Sequence, residues 1–271
     1  MHSPLALQPG PFTAAVLARW PVGDVDVDGA GLFTPSPHRV EPGAAGGAGC
    51  ALPLARLEAV LAGQAFEHLL PAALRRSVRK RQIAFLGGRL CAERSLRRLG
   101  VDAPEVHQAA DGRPLWPCGT EGSISHTEHS AYAVALHAGQ CISLGIDSEL
   151  VDPSANAAIA ELCCTRHERV RWLAGRLDAV TPTLIFSAKE AYYKAVHRMT
   201  ERFMNFGEVE VVALDRRSAE LLLAPTPGGE FAASLPSARV CYRIEVGPPT
   251  SVHTALVMAR DAVQAPARSV A

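Results

Sequence analysis

Residues 186–196, FSAKEAYYKAV, crowd Lys189, Glu190 and Lys194 into an apolar-flanked pattern of helical period. On a helix Glu190 and Lys194, four apart, share a face, and Lys189 lies about 100° round from Glu190. Two readings fit. A Glu/Lys pair at this spacing is common on solvated helices, where it contributes about 0.2–0.5 kcal/mol. Alternatively, the acid and the amine serve a site, and the rest of the chain has to decide between the two.

The chain of 271 residues is 48% hydrophobic, enough for one large or two small cores. Lys plus Arg and Asp plus Glu both number 27, so no global field draws it to nucleic acid or to a membrane, and any anion site must be local. Seven scattered cysteines, an odd count, fit reduced thiols in a cytoplasmic protein better than a disulfide framework. The opening MHSPLALQPGPFTAAVLARW is interrupted by proline and lacks a basic start, so no signal peptide is expected, and no apolar run is long enough to span a bilayer.

Residues 21–53 are rich in Gly, Pro and Ala and read as loop with at most a short strand. Residues 54–99 turn helical, with Pro71 as a break and Gly100 as a stop. Strands are expected at 123–126, 131–136 and 141–147. A second helical block then covers 153–198, followed by the strand-like runs GEVEVVAL, AELLLA, FAASL, RVCYRIEV and HTALVMA. Helices followed by strands occur twice, on either side of residue 145. The expected fold is α+β, built from two similar halves at 1–144 and 145–262, with a disordered tail at 263–271.

GIDSEL (145–150) places Asp147 and Glu149 two apart near a strand end, both on one side. Such a pair suits either a solvated strand end or a cation, and oxygen-only ligands favour Mg²⁺ over zinc. In DGRPLWPCGTEGSISH (111–126), Gly112, Arg113 and Pro114 form a turn presenting one cation, and Ser125 and His126 close a strand. His126 with His129, and Cys163-Cys164 with His167, lack the further ligands of a zinc site. GSISH is not the G-x-S-x-G nucleophile elbow. A hydroxyl, an imidazole and a guanidinium remain, donors suited to phosphate oxygens. Arg81 and Arg89, eight apart, fall about 80° from each other round a helix. They are either a charged solvent face or a second anion site.

Read in order, R-x7-R, G-R-P, S-I-S-H-T, G-I-D-x-E and F-S-x-K-E-A-x-Y-K-A resemble the 4'-phosphopantetheinyl transferases of the surfactin- and enterobactin-synthetase type. The resemblance implies a pseudo-dimeric fold with the site between two similar α/β halves. It implies that Asp147, Glu149 and Glu190 hold Mg²⁺ against the diphosphate of coenzyme A, that Lys194 pairs with those phosphates, and that Lys189 lies beside the same site. Arg81 and Arg89 would take the 3'-phosphate, Arg113 and Pro114 would flank the adenine, and Ser125 and His126 would contact phosphate oxygens. The implied reaction moves the phosphopantetheine arm to a serine of an acyl or peptidyl carrier protein, with Glu190, Lys194 and Asp147 catalytic and the enzyme a cytoplasmic monomer. Siderophore, polyketide, nonribosomal peptide and fatty acid pathways all supply such carriers. Two departures stand out: Ala84 precedes Phe85 where the family often has an acid, and the Gly/Ala-rich N-terminal stretch is long. A non-catalytic coenzyme A- or carrier-binding protein of the same fold would not need three carboxylates, and a nucleotide phosphotransferase lacks its G-x-x-x-x-G-K-[ST] loop. The segment TRHERVRWLAGR (165–176) offers arginines and Trp172 as a docking face for an acidic carrier, or is an ordinary amphipathic helix.

Overall fold

The computed structural model describes residues 27–28, 47–63, 65–102, 104–139, 141–174, 178–229 and 232–258. The expected tail at 263–271, Arg176 and the greater part of the stretch at 21–53 lie outside them. The chain divides into two compact units, with the break between His137 and Ala138. A cut at residue 145 would split a strand, because the ladder that begins the second unit runs from Ser143 to Leu150.

In the first unit, helix α1 (Leu54–Val60) is followed by two 3-10 turns on either side of Pro71 and by the 20-residue helix α2 (Arg79–Arg98). Its strands are β1 (Val27–Asp28), β2 (Ala48–Pro53), β3 (His107–Gln108), β4 (Pro114–Leu115), β5 (Thr120–His126) and β6 (Ser130–His137). The order β1-β2-β6-β5 makes an antiparallel sheet, and β3 and β4 form a separate small hairpin. Helix α2 buries Ile83, Leu86, Leu90 and Leu96 at three- to six-residue intervals and lies on β2, β5 and β6. A Cβ on Gly87 would stand 2.7 Å from Leu54 Cδ2 and 3.0 Å from the Ala131 methyl, so the helix approaches the sheet this closely only with glycine there. The expected stop at Gly100 is a Schellman end: Gly100 has φ +80, its N–H bonds Arg97 O, and the Val101 N–H bonds Leu96 O.

The second unit opens with β7 (Ser143–Leu150) and continues through α3 (Asn156–Cys163), a helical turn at Arg166–Glu168 and the 20-residue α4 (Thr181–Thr200). It ends with β8 (Val209–Asp215), β9 (Glu220–Pro225), β10 (Ala238–Glu245) and β11 (Ser251–Met258). The antiparallel order is β7-β11-β10-β9-β8, with α4 on β7, β11 and β10. Each unit thus repeats one plan, a long helix laid on an antiparallel sheet, and the fold is α+β. Asp178 Oδ1 accepts the N–H groups of Val180 and Thr181 and so starts α4. One expected strand is absent: in FAASL the described part, from residue 232, forms a turn that plugs Leu235 into the core. With only one large apolar side chain in that part, the run has no alternating face to bury as a strand. Among the described residues no helix is long and apolar enough to cross a membrane. All seven cysteines are free thiols.

Candidate active site

The acid cluster forms where α4 crosses β7. Alternation along β7 turns Gly145, Asp147 and Glu149 to one face, and Gly145 is where the helix presses closest. A Cβ there would lie 1.9 Å from Ala191 O. That approach brings Lys194 Nζ within 2.8 Å of Asp147 Oδ1 and 3.1 Å of Ile146 O. Asp147 is buried, and Glu149 and Glu190 are half-buried. Burial raises the Glu149 carboxyl to about 7, the Asp147 and Glu190 charges add to the rise, and Lys194 works against it. Glu190 is raised by burial and then by Asp147, again opposed by Lys194. Burial first and the neighbouring acids second therefore disfavour the ionised forms of Glu149 and Glu190, and Lys194 is the cation that opposes both shifts.

Oxygen-only donors with excess negative charge suit a hard divalent cation. Among the described residues no three His, Cys, Asp or Glu side chains stand at the spacing of a formed metal cage, so the fit is one of charge and donor type.

Lys189 departs from its expected place beside this cluster. It is 0% exposed, and its ammonium donates to Glu168 Oε2 at 2.7 Å, Cys163 O at 2.8 Å and Phe206 O at 2.9 Å. All three donors are used, leaving none for a phosphate. Glu168 also accepts the N–H groups of Thr165 and Val211, so the buried pair is fully hydrogen-bonded. Glu168 went unread in the sequence, although the capping box Thr165-x-x-Glu168 could have flagged it. Trp172 is likewise a tie to the core: its Nε1 donates to Val211 O at 2.9 Å and its ring carries Arg171 at 4.8 Å. Arg166, Arg169 and Arg171 are exposed beside the exposed Leu162 and Val170.

In the first unit Arg89 is 4% exposed, and its guanidinium lies 5.1 Å from the Phe85 ring centroid. Burial pulls its pKa down to about 10, and its Nη1 has no hydrogen-bond partner. It lines a cavity of about 280 Å³ together with His68, Phe85, Val106, His107 and Gln108. Arg81 is exposed and is not among the residues lining that cavity, so the two arginines differ in environment. Ala84 is packed in the core, so an acid at that position would have to be buried in this chain.

The turn read at Gly112-Arg113-Pro114 closes one step earlier, at Ala109–Gly112, where Gly112 has φ +92 and its N–H bonds Ala109 O; Arg113 follows it, with Asp111 accepting its N–H and pairing with its guanidinium at 3.0 Å. Pro114 opens β4 opposite Gln108, so this hairpin borders the Arg89 cavity. Ser125 is buried and His126 exposed, since neighbours on a strand face opposite sides.

Residues 70–136 match the family model of the 4'-phosphopantetheinyl transferase N-terminal domain, and residues 143–241 match that of the 4'-phosphopantetheinyl transferase superfamily. The chain belongs to the 4'-phosphopantetheinyl transferase superfamily. It is 34% identical over 157 residues to 4'-phosphopantetheinyl transferase Npt of Nocardia iowensis, covering 57% of this chain and 67% of the relative. To 4'-phosphopantetheinyl transferase Svp of Streptomyces mobaraensis it is 34% identical over 159 residues, covering 56% of this chain and 63% of the relative. To enterobactin synthase component D of Salmonella typhimurium it is 36% identical over 166 residues, covering 60% of this chain and 66% of the relative. The match thus spans 63% of the Svp transferase, a little under two thirds of its length. Asp147, Glu149, Glu190 and Lys194 fall inside the second matched span and Arg81, Arg89, Arg113 and Pro114 inside the first, while His68 of the cavity lies just outside it.

Proposed function

We propose that this chain transfers the 4'-phosphopantetheine arm of coenzyme A to a serine hydroxyl of an acyl or peptidyl carrier protein, releasing 3',5'-ADP, with Mg²⁺ required. The observation that carries the reading is the gathering of Asp147, Glu149 and Glu190 about Lys194, which bonds Asp147 and lowers the Glu149 and Glu190 carboxyls that burial and the neighbouring acids raise. When bound by those three carboxylates, Mg²⁺ supplies positive charge to the diphosphate. Glu190, whose proton affinity burial has raised, accepts the serine proton as Oγ bonds to the phosphorus bearing the pantetheine arm. The phosphorus–oxygen bond to 3',5'-ADP breaks, and the nucleotide leaves as the anion. Lys194, whose ammonium already lies in the cluster, offsets the charge building on that leaving group. Arg89, whose Nη1 lacks a hydrogen-bond partner and which lines a cavity, takes the 3'-phosphate, and the hairpin at Arg113 and Pro114 borders the adenine.

The test offers the full chain coenzyme A, Mg²⁺ and apo carriers of the acyl and peptidyl types, and weighs the carriers afterwards. The reading expects the mass of one phosphopantetheine on at least one carrier. Tight coenzyme A binding with every carrier unmodified would instead make the chain a non-catalytic binder of the same fold.

A further inference from the structure

His253 lies on β11 in register with Ser148 of β7, and its side chain is fully buried. Its Nδ1 is 3.0 Å from Ser148 Oγ, and its Nε2 is 3.1 Å from Ser251 Oγ. The half-exposed Glu245 stands 3.6 Å from Nε2, too far for a direct hydrogen bond. A neutral imidazole donates through one nitrogen and accepts through the other, and each serine hydroxyl can take either part, so all bonds can be made at once.

Ser148 sits between Asp147 and Glu149 and points to the opposite face of the strand. Whatever fixes the Ser148 side chain therefore fixes the roll of β7 at that point, and both carboxylates turn with it. A roll of about 20° shifts a carboxylate oxygen by on the order of 1 Å, beyond the ~0.5 Å tolerance of a working constellation. On the opposite face, Thr254, the neighbour of His253, pairs with Asp147 and holds Ser187 of α4 through hydroxyls 2.8 Å apart. The two faces of β11 are therefore tied by hydrogen bonds at the level of the acid cluster. An apolar side chain at 253 would fill the space without the desolvation cost of a buried imidazole, so packing alone does not account for the choice.

We propose that His253 is a positioning residue: through its bond to Ser148 it sets the relative aim of Asp147 and Glu149. The proposal rests on the metal reading of those carboxylates. The test titrates Mg²⁺ into the full-length chain by calorimetry and records the melting temperature, for wild type and for His253→Leu, His253→Asn, His253→Gln and Ser148→Ala. Asn keeps a polar atom where Nδ1 reaches Ser148, and Gln keeps one where Nε2 reaches Ser251. His253→Leu, His253→Gln and Ser148→Ala are expected to weaken Mg²⁺ about tenfold or more, as loss of a ligand-orienting partner does, and His253→Asn to stay near wild type. If His253→Leu does not fold, Ser148→Ala, which deletes a single hydroxyl, carries the comparison. Unchanged Mg²⁺ affinity in the folded variants, with only a lower melting temperature, would overturn the proposal and leave His253 a packing residue. Failure of wild type to bind Mg²⁺ would overturn the metal reading itself, and the proposal with it.

Discussion

Asp147 is bonded to Lys194, whereas Glu149 and Glu190 lie in the field of the other acids, so substitutions at the three sites remove different things. Glu190→Gln keeps the shape and removes the base, and kcat is expected to fall about 10²-fold or more. Lys194→Ala strips a charge used by ground state and transition state alike, so steady-state assays are expected to show KM for coenzyme A and kcat both worsened. A wild-type kcat in Glu190→Gln would remove it from the chemistry. The raised carboxyl of Glu149 also has a sign. Its folded pKa, about 7, lies above the ordinary glutamate value of 4.5, so its proton favours the folded state. That contribution is complete below about 4.5 and is lost as pH climbs through 7. In EDTA the melting temperature is expected to drop across this window, and Mg²⁺ to flatten the drop; parallel curves would mean that no cation is taken up. At this scale the shared face of Glu190 and Lys194 was legible, because four-residue spacing on a helix is local geometry. The burial of Lys189 was not, because its partner Glu168 stands 21 positions away and the alternation of faces says nothing of depth.

Elements meet at Gly145, and the distance between β7 and α4 is set there. Gly145→Ala puts a methyl into a backbone carbonyl, so α4 must shift away. Calorimetric melting should show a loss of about 1–3 kcal/mol or more, accompanied by weaker Mg²⁺ binding; a fully active, equally stable variant would mean the helix has slack. Glu168→Gln leaves Lys189 charged and buried without its carboxylate, with an expected cost of about 3–5 kcal/mol by denaturant unfolding. The helix Arg79–Arg98 and its glycine stop were legible because periodicity and the C-terminal glycine agree. FAASL misled because a short apolar count imitates a strand when a single leucine anchors a turn.

Across the whole molecule, each unit carries one part of the proposed ligand chemistry: the arginine cavity in the first, the acid cluster in the second. The ordered motifs named the carboxylates and Lys194 of the cluster and Arg89 of the cavity, whereas Arg81, named with it, does not line the cavity. The serine–histidine–serine bridge at 148, 253 and 251 was not legible, since strands more than 100 residues apart meet only through sheet order. If Arg89 serves the 3'-phosphate, Arg89→Ala is expected to weaken coenzyme A by about 1.5–3 kcal/mol and 3'-dephospho-coenzyme A far less, read by calorimetry; equal losses would assign the cavity to something else. The central claim, cation-dependent transfer through the acid cluster, is tested most directly by weighing an apo carrier after incubation with coenzyme A and either wild type or Asp147→Ala, in Mg²⁺ and in excess EDTA. The account predicts a carrier heavier by one phosphopantetheine only with wild type in Mg²⁺, while Asp147→Ala keeps its folded melting transition; full modification in EDTA, or by Asp147→Ala, would contradict it.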